Sequence, residues 1–501
     1  MQGLSDVKDS RKRNTLLVLL FSFLSFFVMG YHPGLEDDGV YLAAVKYRLN
    51  PALYPHNSIF FRIQMQATFF DNWMAAFVRL TGIRVDYAEL LWQFASIVAI
   101  LACCRGIAAK LFNGERAQWA GVAMVGALFT LPVAGTALFL VDQHLHPRTL
   151  ATALVLLAVW LVLAGRRLAA VPVLLVSLLL HPIMTLFGAS FCVFLAVASA
   201  DPIHDWLRTR GRARLGMGTA AFIPLGWLFD PPSAIWHKAV GTRGYLFLDR
   251  WAWYEWLGAV APLLLFWLLW RMAGKRGETP LARFALAVFL FGLFHEVLAI
   301  VVWGMPALVR FAPMQPMRFL HLVYLFMALI GGCLIGKYLL RASVWRWAAF
   351  LLVFNAGMFA AQRYQFSGSQ HLELPGRSPT NPWLQAFSWI RMNTPKDAYF
   401  ALDPYYLAAP GEDYHGFRAL AERSQLADAV KDTAVVGLFP ALAPAWDQQV
   451  EAQKGWPHFQ LADFNRLKAE FGVNWVVVSY PPPDGLTCRW HNAGISVCQV
   501  P

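Results

Sequence analysis

The sequence predicts a mainly α protein: a polytopic bundle of about eleven membrane spans followed by a C-terminal extracytoplasmic α/β domain. Three observations predict it. The 501-residue chain is 58% hydrophobic and only 14% charged, where a soluble chain carries roughly a quarter charged residues. Apolar windows of spanning length recur from residue 15 to residue 362. Beyond residue 362 the composition changes to Pro, Gly, Asp and Asn, and no segment is long enough to cross a bilayer.

The predicted spans are 15–31, 88–105, 117–140, 150–165, 168–182, 184–200, 215–229, 256–272, 281–303, 319–340 and 345–362. A net charge of +12 raises nucleic acid as a partner, but the distribution of the charge excludes it. Lys8, Arg11, Lys12 and Arg13 precede the first span, and the other basic residues cluster in 105–116, 166–167, 208–214, 271–283 and 337–346. With the N-terminus in the cytoplasm every cluster falls inside, as the positive-inside rule requires, so the partner is a lipid bilayer. This places the chain in the inner (plasma) membrane as a multi-pass protein. No small-x-small cleavage site precedes the acidic run, so the first span reads as a retained anchor.

The outer face receives a long first loop, 32–87, within the membrane unit 1–362. In that loop Phe69, Trp73, Phe77 and Leu80 recur at helical spacing, with Asp71, Asn72 and Arg79 elsewhere on the wheel. This predicts a helix lying in the interface plane. The third loop, rich in Tyr and Trp around Arg243 and Arg250, suits the headgroup zone. The C-terminal unit, 363–501, reads as helix 381–392, strand 398–402, helix 461–471 and strands 473–479 and 495–499. Cys488 and Cys498 flank an Asn492-Ala493-Gly494 turn and could pair in an oxidising compartment; two free thiols are the alternative. Cys103, Cys104, Cys192 and Cys333 lie in or beside spans, where Cys acts as a small hydrophobe.

Chemistry concentrates on the outer side. Glu36-Asp37-Asp38 follows the first span directly, and crowded carboxylates at a membrane boundary are costly unless they serve a function. The second loop offers Asp142, His144, His146 and Arg148. Arg310 and Arg318 stand before a late span, where they suit either a phosphate or the interface. His295-Glu296 lies within a span and is a candidate to line a cavity, with Tyr41, or to stabilise helix packing. Carboxylate with imidazole also suits a divalent cation such as Mg or Mn, held by Asp37, Asp142 and His144, although no cofactor is certain from the sequence. The acids equally suit the first turn of the following helix as caps.

Asp37-Asp38-Gly39-Val40-Tyr41, then Ala43-Ala44 and Asn50-Pro-Ala-Leu-Tyr54, resembles the first-loop motif of GT-C membrane glycosyltransferases. These include protein O-mannosyltransferases, the aminoarabinose transferase of lipid A and oligosaccharyltransferases. Trp389 to Ala398 and Phe471 to Val478 are similar to passages of the outer domain in bacterial members. The resemblance implies a polyprenyl-phosphate sugar donor and a glycan, lipid or protein acceptor, with transfer on the outer face. It implies Asp37 as catalytic base beside Asp38, Asp142 as the second-loop acid, and Arg310 or Arg318 on the lipid phosphate. Asp38 departs from the family's usual Glu, and Glu36 is an addition. The competing readings are a glycolipid or polysaccharide transporter or flippase, which needs repeated half-chains not evident here, and an O-antigen-type ligase or polymerase.

Overall fold

In the computed structural model, residues 2–199, 233–408 and 414–501 are described. Six helices are long and apolar enough to cross a membrane: Arg11–Met29, Val85–Leu111, Trp253–Lys275, Thr279–Gly304, Pro316–Leu340 and Val344–Gln365. Three shorter apolar helices, α7 (Pro147–Leu163), α8 (Arg167–Leu180) and α9 (Pro182–Ala198), complete the described bundle. The molecule is therefore a membrane protein built as a helical bundle, with a C-terminal unit containing a sheet. Leu16, Leu20, Leu168, Leu175 and Val353 point outward, as a lipid-facing surface requires. The bundle closes most tightly where α6 (Glu115–Ala127) meets the helix Leu320–Ile335. A Cβ on Gly332 would stand 2.6 Å from the Ala120 carbonyl oxygen, so only glycine allows that approach.

Two predicted spans need comment. The span 117–140 does not exist as one helix, because α6 stops at Ala127. Residues 128–140 instead turn back through a two-residue ladder in which Pro132 faces Phe139 and Val133 faces Leu138. Pro132 and Gly135 interrupt the helix, and the freed backbone groups are paired inside protein. The Leu140 carbonyl, for instance, hydrogen-bonds the buried His321 Nε2 at 2.9 Å. The span 215–229 lies outside the described residues.

The helix predicted in the first loop is present as α4 (Phe70–Thr81), but its predicted wheel is turned. Asp71, placed on the polar face, is buried and receives Arg48 Nε at 2.7 Å, while Phe69 and Leu80 are exposed. The Arg48 partner lies in α2 (Asp38–Leu49), and no local pattern in α4 could supply it.

The C-terminal unit carries a five-stranded sheet in which Ser424–Gln425, Tyr399–Ala401, Trp475–Ser479, Ile495–Gln499 and Thr487–His491 lie side by side in that order. Its strands are β3 (Tyr399–Ala401), β4 (Ser424–Gln425), β5 (Trp475–Ser479), β6 (Thr487–His491) and β7 (Ile495–Gln499). The first three run parallel, and β5, β7 and β6 are antiparallel. The predicted helices appear as Pro382–Asn393, capped by the Asn381 side chain, and Leu461–Phe471. Cys488 and Cys498 are disulfide-bonded across the β6–β7 pair. Both faces of the sheet are apolar cores. The stretch 427–450 belongs to a different core, shared with Val40, Tyr54 and Phe61 of the first loop and Trp236 of the third. The C-terminal unit is thus packed into the outer loops rather than standing apart from them.

A buried ion pair fixes that stretch. Arg418 holds Asp432 through two hydrogen bonds of 2.7 and 2.8 Å, both side chains being buried. Asp432→Asn leaves the guanidinium without its counter-charge and is expected to cost about 3–5 kcal/mol. Replacing both residues by apolar ones of like volume is expected to cost much less. Thermal unfolding of the detergent-solubilised variants checks the contrast.

Candidate functional site

The start of the first loop is held at two points. Tyr31 N–H donates to the His371 carbonyl at 3.0 Å, and Glu373 N–H returns to the Tyr31 carbonyl at 2.9 Å. Further on, Glu36 N–H donates to the Tyr414 carbonyl and Gly416 N–H to the Gly34 carbonyl, at 2.9 and 2.7 Å. The acidic run is therefore stitched to the C-terminal unit by backbone bonds. The start of α2 then lies so close to residue 416 that a Cβ on Gly416 would meet the Gly39 Cα at 2.6 Å.

This frame separates the three acids. Asp38 points inward, is buried, and accepts the Gly34 N–H at 2.7 Å. Burial pushes its carboxyl up, against the pull of His144 and Gly34. Glu36 takes a left-handed backbone, φ 53°, and pairs with Lys431 of the C-terminal unit. Asp37 alone of the three lines a cavity of about 330 Å³, within the size range of small-molecule sites. Its side chain makes no capping bond to α2, so capping does not explain it.

The cavity gathers residues from distant parts of the chain. Its walls include Asp37, Tyr41, His146, Arg148, His181, Arg243, Arg318 and Lys431. Arg148 is fixed by Asp142, with Nη2 to Oδ1 at 2.5 Å and Nε to Oδ2 at 3.1 Å, and both are buried. The Asp142 backbone is held in turn, its carbonyl accepting Gln93 Nε2 at 2.7 Å. His146 caps α7: its Nδ1 accepts the Arg148 N–H at 2.9 Å. A neutral ring accepting at Nδ1 carries its proton on Nε2, and that atom faces Asp37 Oδ2 at 3.6 Å. Burial, then the Arg148 charge, pushes His146 down to about 4, so the neutral ring prevails at ordinary pH.

Burial pushes the Asp37 carboxyl up, but His146 and the charges of Arg148 and Arg243 outweigh it and hold it well below the usual range. Asp37 is ionised at neutral pH. A carboxylate so strongly stabilised is a weak base and chiefly an electrostatic and orienting group. Elsewhere in the cavity walls Arg318 Nε donates to Gln315 Oε1 at 2.6 Å, and Arg243 Nε donates to the Tyr245 hydroxyl at 2.7 Å. A smaller, mostly apolar groove shares Leu246, Gln315 and Arg318 with the cavity and continues along Ala299, Val302 and Trp303. Arg318 thus borders both the cavity and the groove.

The other sequence candidates fall elsewhere. Arg310 is exposed and outside the cavity walls. His295 bonds Ser190 Oγ through Nε2 at 2.9 Å and sits among Phe187, Phe291 and Phe294. His295 and Glu296 do not line the cavity. The His295 ring is thereby absorbed by helix packing, the alternative open for that pair.

His144 is buried, with its ring centre 5.8 Å from that of His146. Asp37, Asp142 and His144 do not form a cation site: both Asp142 oxygens are engaged by Arg148, whose guanidinium supplies the positive charge there. Among the described residues, the one group of three ligating side chains within reach of a single ion is His32, Glu373 and His415. Sequence reasoning missed Arg243, His181 and Lys431 at the cavity. Lys431 lies in Asp428-Ala-Val-Lys-Asp432, which carries no motif.

The chain is similar to the crystal structure of the Archaeoglobus fulgidus oligosaccharyltransferase in complex with Zn and sulfate. Identity is 12% and the TM-score 0.46, over 92% of this chain and 68% of that one. No family model and no curated protein matches the chain. A superposition this loose supports no functional inference, which rests on the cavity itself.

Because the folded chain holds His146 near 4 against about 6.5 when unfolded, the unfolded state takes up this proton first. His146 therefore withdraws stability as pH falls from about 6.5 towards 4. The melting temperature of His146→Asn is expected to fall less steeply over that window than that of the wild type. Equal slopes would contradict a buried neutral imidazole.

Proposed function

We propose that this protein is a membrane glycosyltransferase that moves a sugar from a polyprenyl-phosphate donor to an acceptor hydroxyl or amide on the extracytoplasmic face. The observation that carries the reading is the cavity in which ionised Asp37 shares walls with Arg148, Arg243 and Arg318, opening beside Arg318 into an apolar groove. A lipid phosphate needs both parts: fixed cations for its charge and a dry channel for its tail. The first-loop motif resemblance points the same way.

In this reading the polyprenyl chain lies along Ala299, Val302 and Trp303, and the phosphate rests on Arg318, with Arg243 near. The acceptor enters beside Asp37. Its oxygen or nitrogen forms the new bond to the anomeric carbon as the bond from that carbon to the phosphate oxygen breaks. The departing electron pair stays on the phosphate, whose added charge the arginines stabilise. The acceptor proton passes to Asp37, which orients the nucleophile first and takes the proton late, as a weak base must. His146 Nε2–H keeps the carboxylate aimed, and the Asp142–Arg148 pair anchors His146 through the Arg148 backbone. No step is assigned to a divalent cation, since Arg148 engages the ligand atoms one would need.

The outer location is supported by the basic cytoplasmic loops and by the Cys488–Cys498 bond, which suits an oxidising compartment. Whether the acceptor is a glycan, lipid or protein is a matter of which molecules enter beside Asp37. With a labelled polyprenyl-phosphate sugar in membranes, Asp37→Asn is expected to lower transfer by at least about a hundredfold at unchanged expression. Arg318→Gln is expected to raise the donor KM about tenfold or more, the loss of one charge-assisted contact. Undiminished transfer by Asp37→Asn sinks the proposal, and donor translocation without transfer favours a flippase.

A further inference from the structure

Outside the cavity, three ligating side chains from separate stretches converge. His32 follows the first span, Glu373 follows the helix Val344–Gln365, and His415 lies in the C-terminal unit beside the acidic loop. One ligand atom from each lies within 4.8 Å of the other two. Glu373 Oε2 is 2.9 Å from His415 Nε2 and 3.5 Å from His32 Nδ1. Both imidazoles are fully buried, and the carboxylate is 10% exposed. The second oxygen, Glu373 Oε1, is buried without a hydrogen-bond partner.

We propose that His32, Glu373 and His415 form a binding site for a divalent transition-metal ion, zinc fitting best, that clamps the first loop to the C-terminal unit. The donor set is two imidazoles and one carboxylate, which suits zinc and disfavours the all-oxygen chemistry of Mg or Ca. Ligand atoms about 2.0–2.1 Å from a tetrahedral ion stand roughly 3.3–3.4 Å from one another. The two carboxylate–imidazole separations bracket that spacing, and the two imidazole nitrogens, within 4.8 Å of each other, close towards it as an ion enters. A hydrogen-bonded triad of one carboxylate and two rings accounts for Oε2 but leaves Oε1 unused. A metal ion can take either oxygen or both.

The position gives the clamp its purpose. His32 lies five residues before Asp37, and the backbone beside each ligand is already paired across the same junction. Tyr31 exchanges bonds with His371 and Glu373, and Leu35 pairs with His415. An ion here would fix the root of the loop that carries Asp37 without touching the cavity, whose walls include none of the three.

The test uses the full-length protein in detergent, stripped with a chelator, dialysed and titrated with zinc alone, with bound metal measured by mass spectrometry. One tightly held zinc per chain is expected for the wild type and equally for Asp37→Asn, which separates this site from the proposed transfer chemistry. Cobalt substitution is expected to give the visible absorption of a nitrogen- and oxygen-ligated tetrahedral ion. Glu373→Gln, which keeps the size and hydrogen bonding of the side chain, is expected to weaken zinc binding at least about tenfold. His32→Ala and His415→Ala are expected to abolish it, and the zinc-dependent rise in melting temperature should vanish with it. No zinc above background in the wild type overturns the proposal. So does unchanged stoichiometry and affinity in folded Glu373→Gln.

Discussion

The arrangement around the cavity depends on one buried ion pair, Asp142 with Arg148. Removing two charges from water is expensive, and the cost is offset only by near-ideal mutual geometry. Here two parallel hydrogen bonds provide it. Once Arg148 is fixed, its backbone N–H occupies His146 Nδ1 and its charge discourages protonation of that ring. The neutral ring must then present Nε2–H to Asp37. The same guanidinium helps keep Asp37 ionised. Tautomer, charge and aim at the cavity thus follow from a single contact beneath it.

That contact exists because α6 ends early. Had residues 117–140 continued as one helix, Asp142 would have emerged with the loop at the outer surface, free to exchange its partner for water. The turn through Pro132 and Gly135 instead brings the chain back into the protein, where the Leu140 carbonyl is bound by His321 and the Asp142 carbonyl by Gln93. Hydropathy cannot register this, because Leu131 to Leu140 is apolar whether it spans or folds back. The displaced wheel of α4 has a related cause. A buried Asp reads as a solvated one until its partner, Arg48 on another helix, is known.

The loops and the C-terminal unit pack as one interlocked body rather than as a bundle with an appended domain. The stretch 427–450 packs with the first and third loops, and the Arg418–Asp432 pair lies directly beside Lys431 at the cavity wall. Closure of the site therefore depends on the C-terminal unit, although the membrane unit supplies Asp37, His146, Arg148 and Arg318. The candidate metal clamp lies on the same junction.

The sequence by itself determined the membrane bundle and three of the five strands of the C-terminal sheet, and it singled out Asp37 as a candidate. These are properties of composition, period and local spacing, which act over a few residues and leave a direct imprint. Only the tertiary structure decided which charged residues meet. It separated Asp37 from Asp38 and Glu36, chose Arg318 over Arg310 as a cavity wall, left His295-Glu296 outside the cavity, and brought in Arg243, His181 and Lys431. It also gave Asp142 to Arg148 rather than to a cation and assembled His32, Glu373 and His415. The physical reason is that the ionisation and partners of a charge depend on the dielectric and the neighbours around it, and the fold sets both from segments hundreds of residues apart.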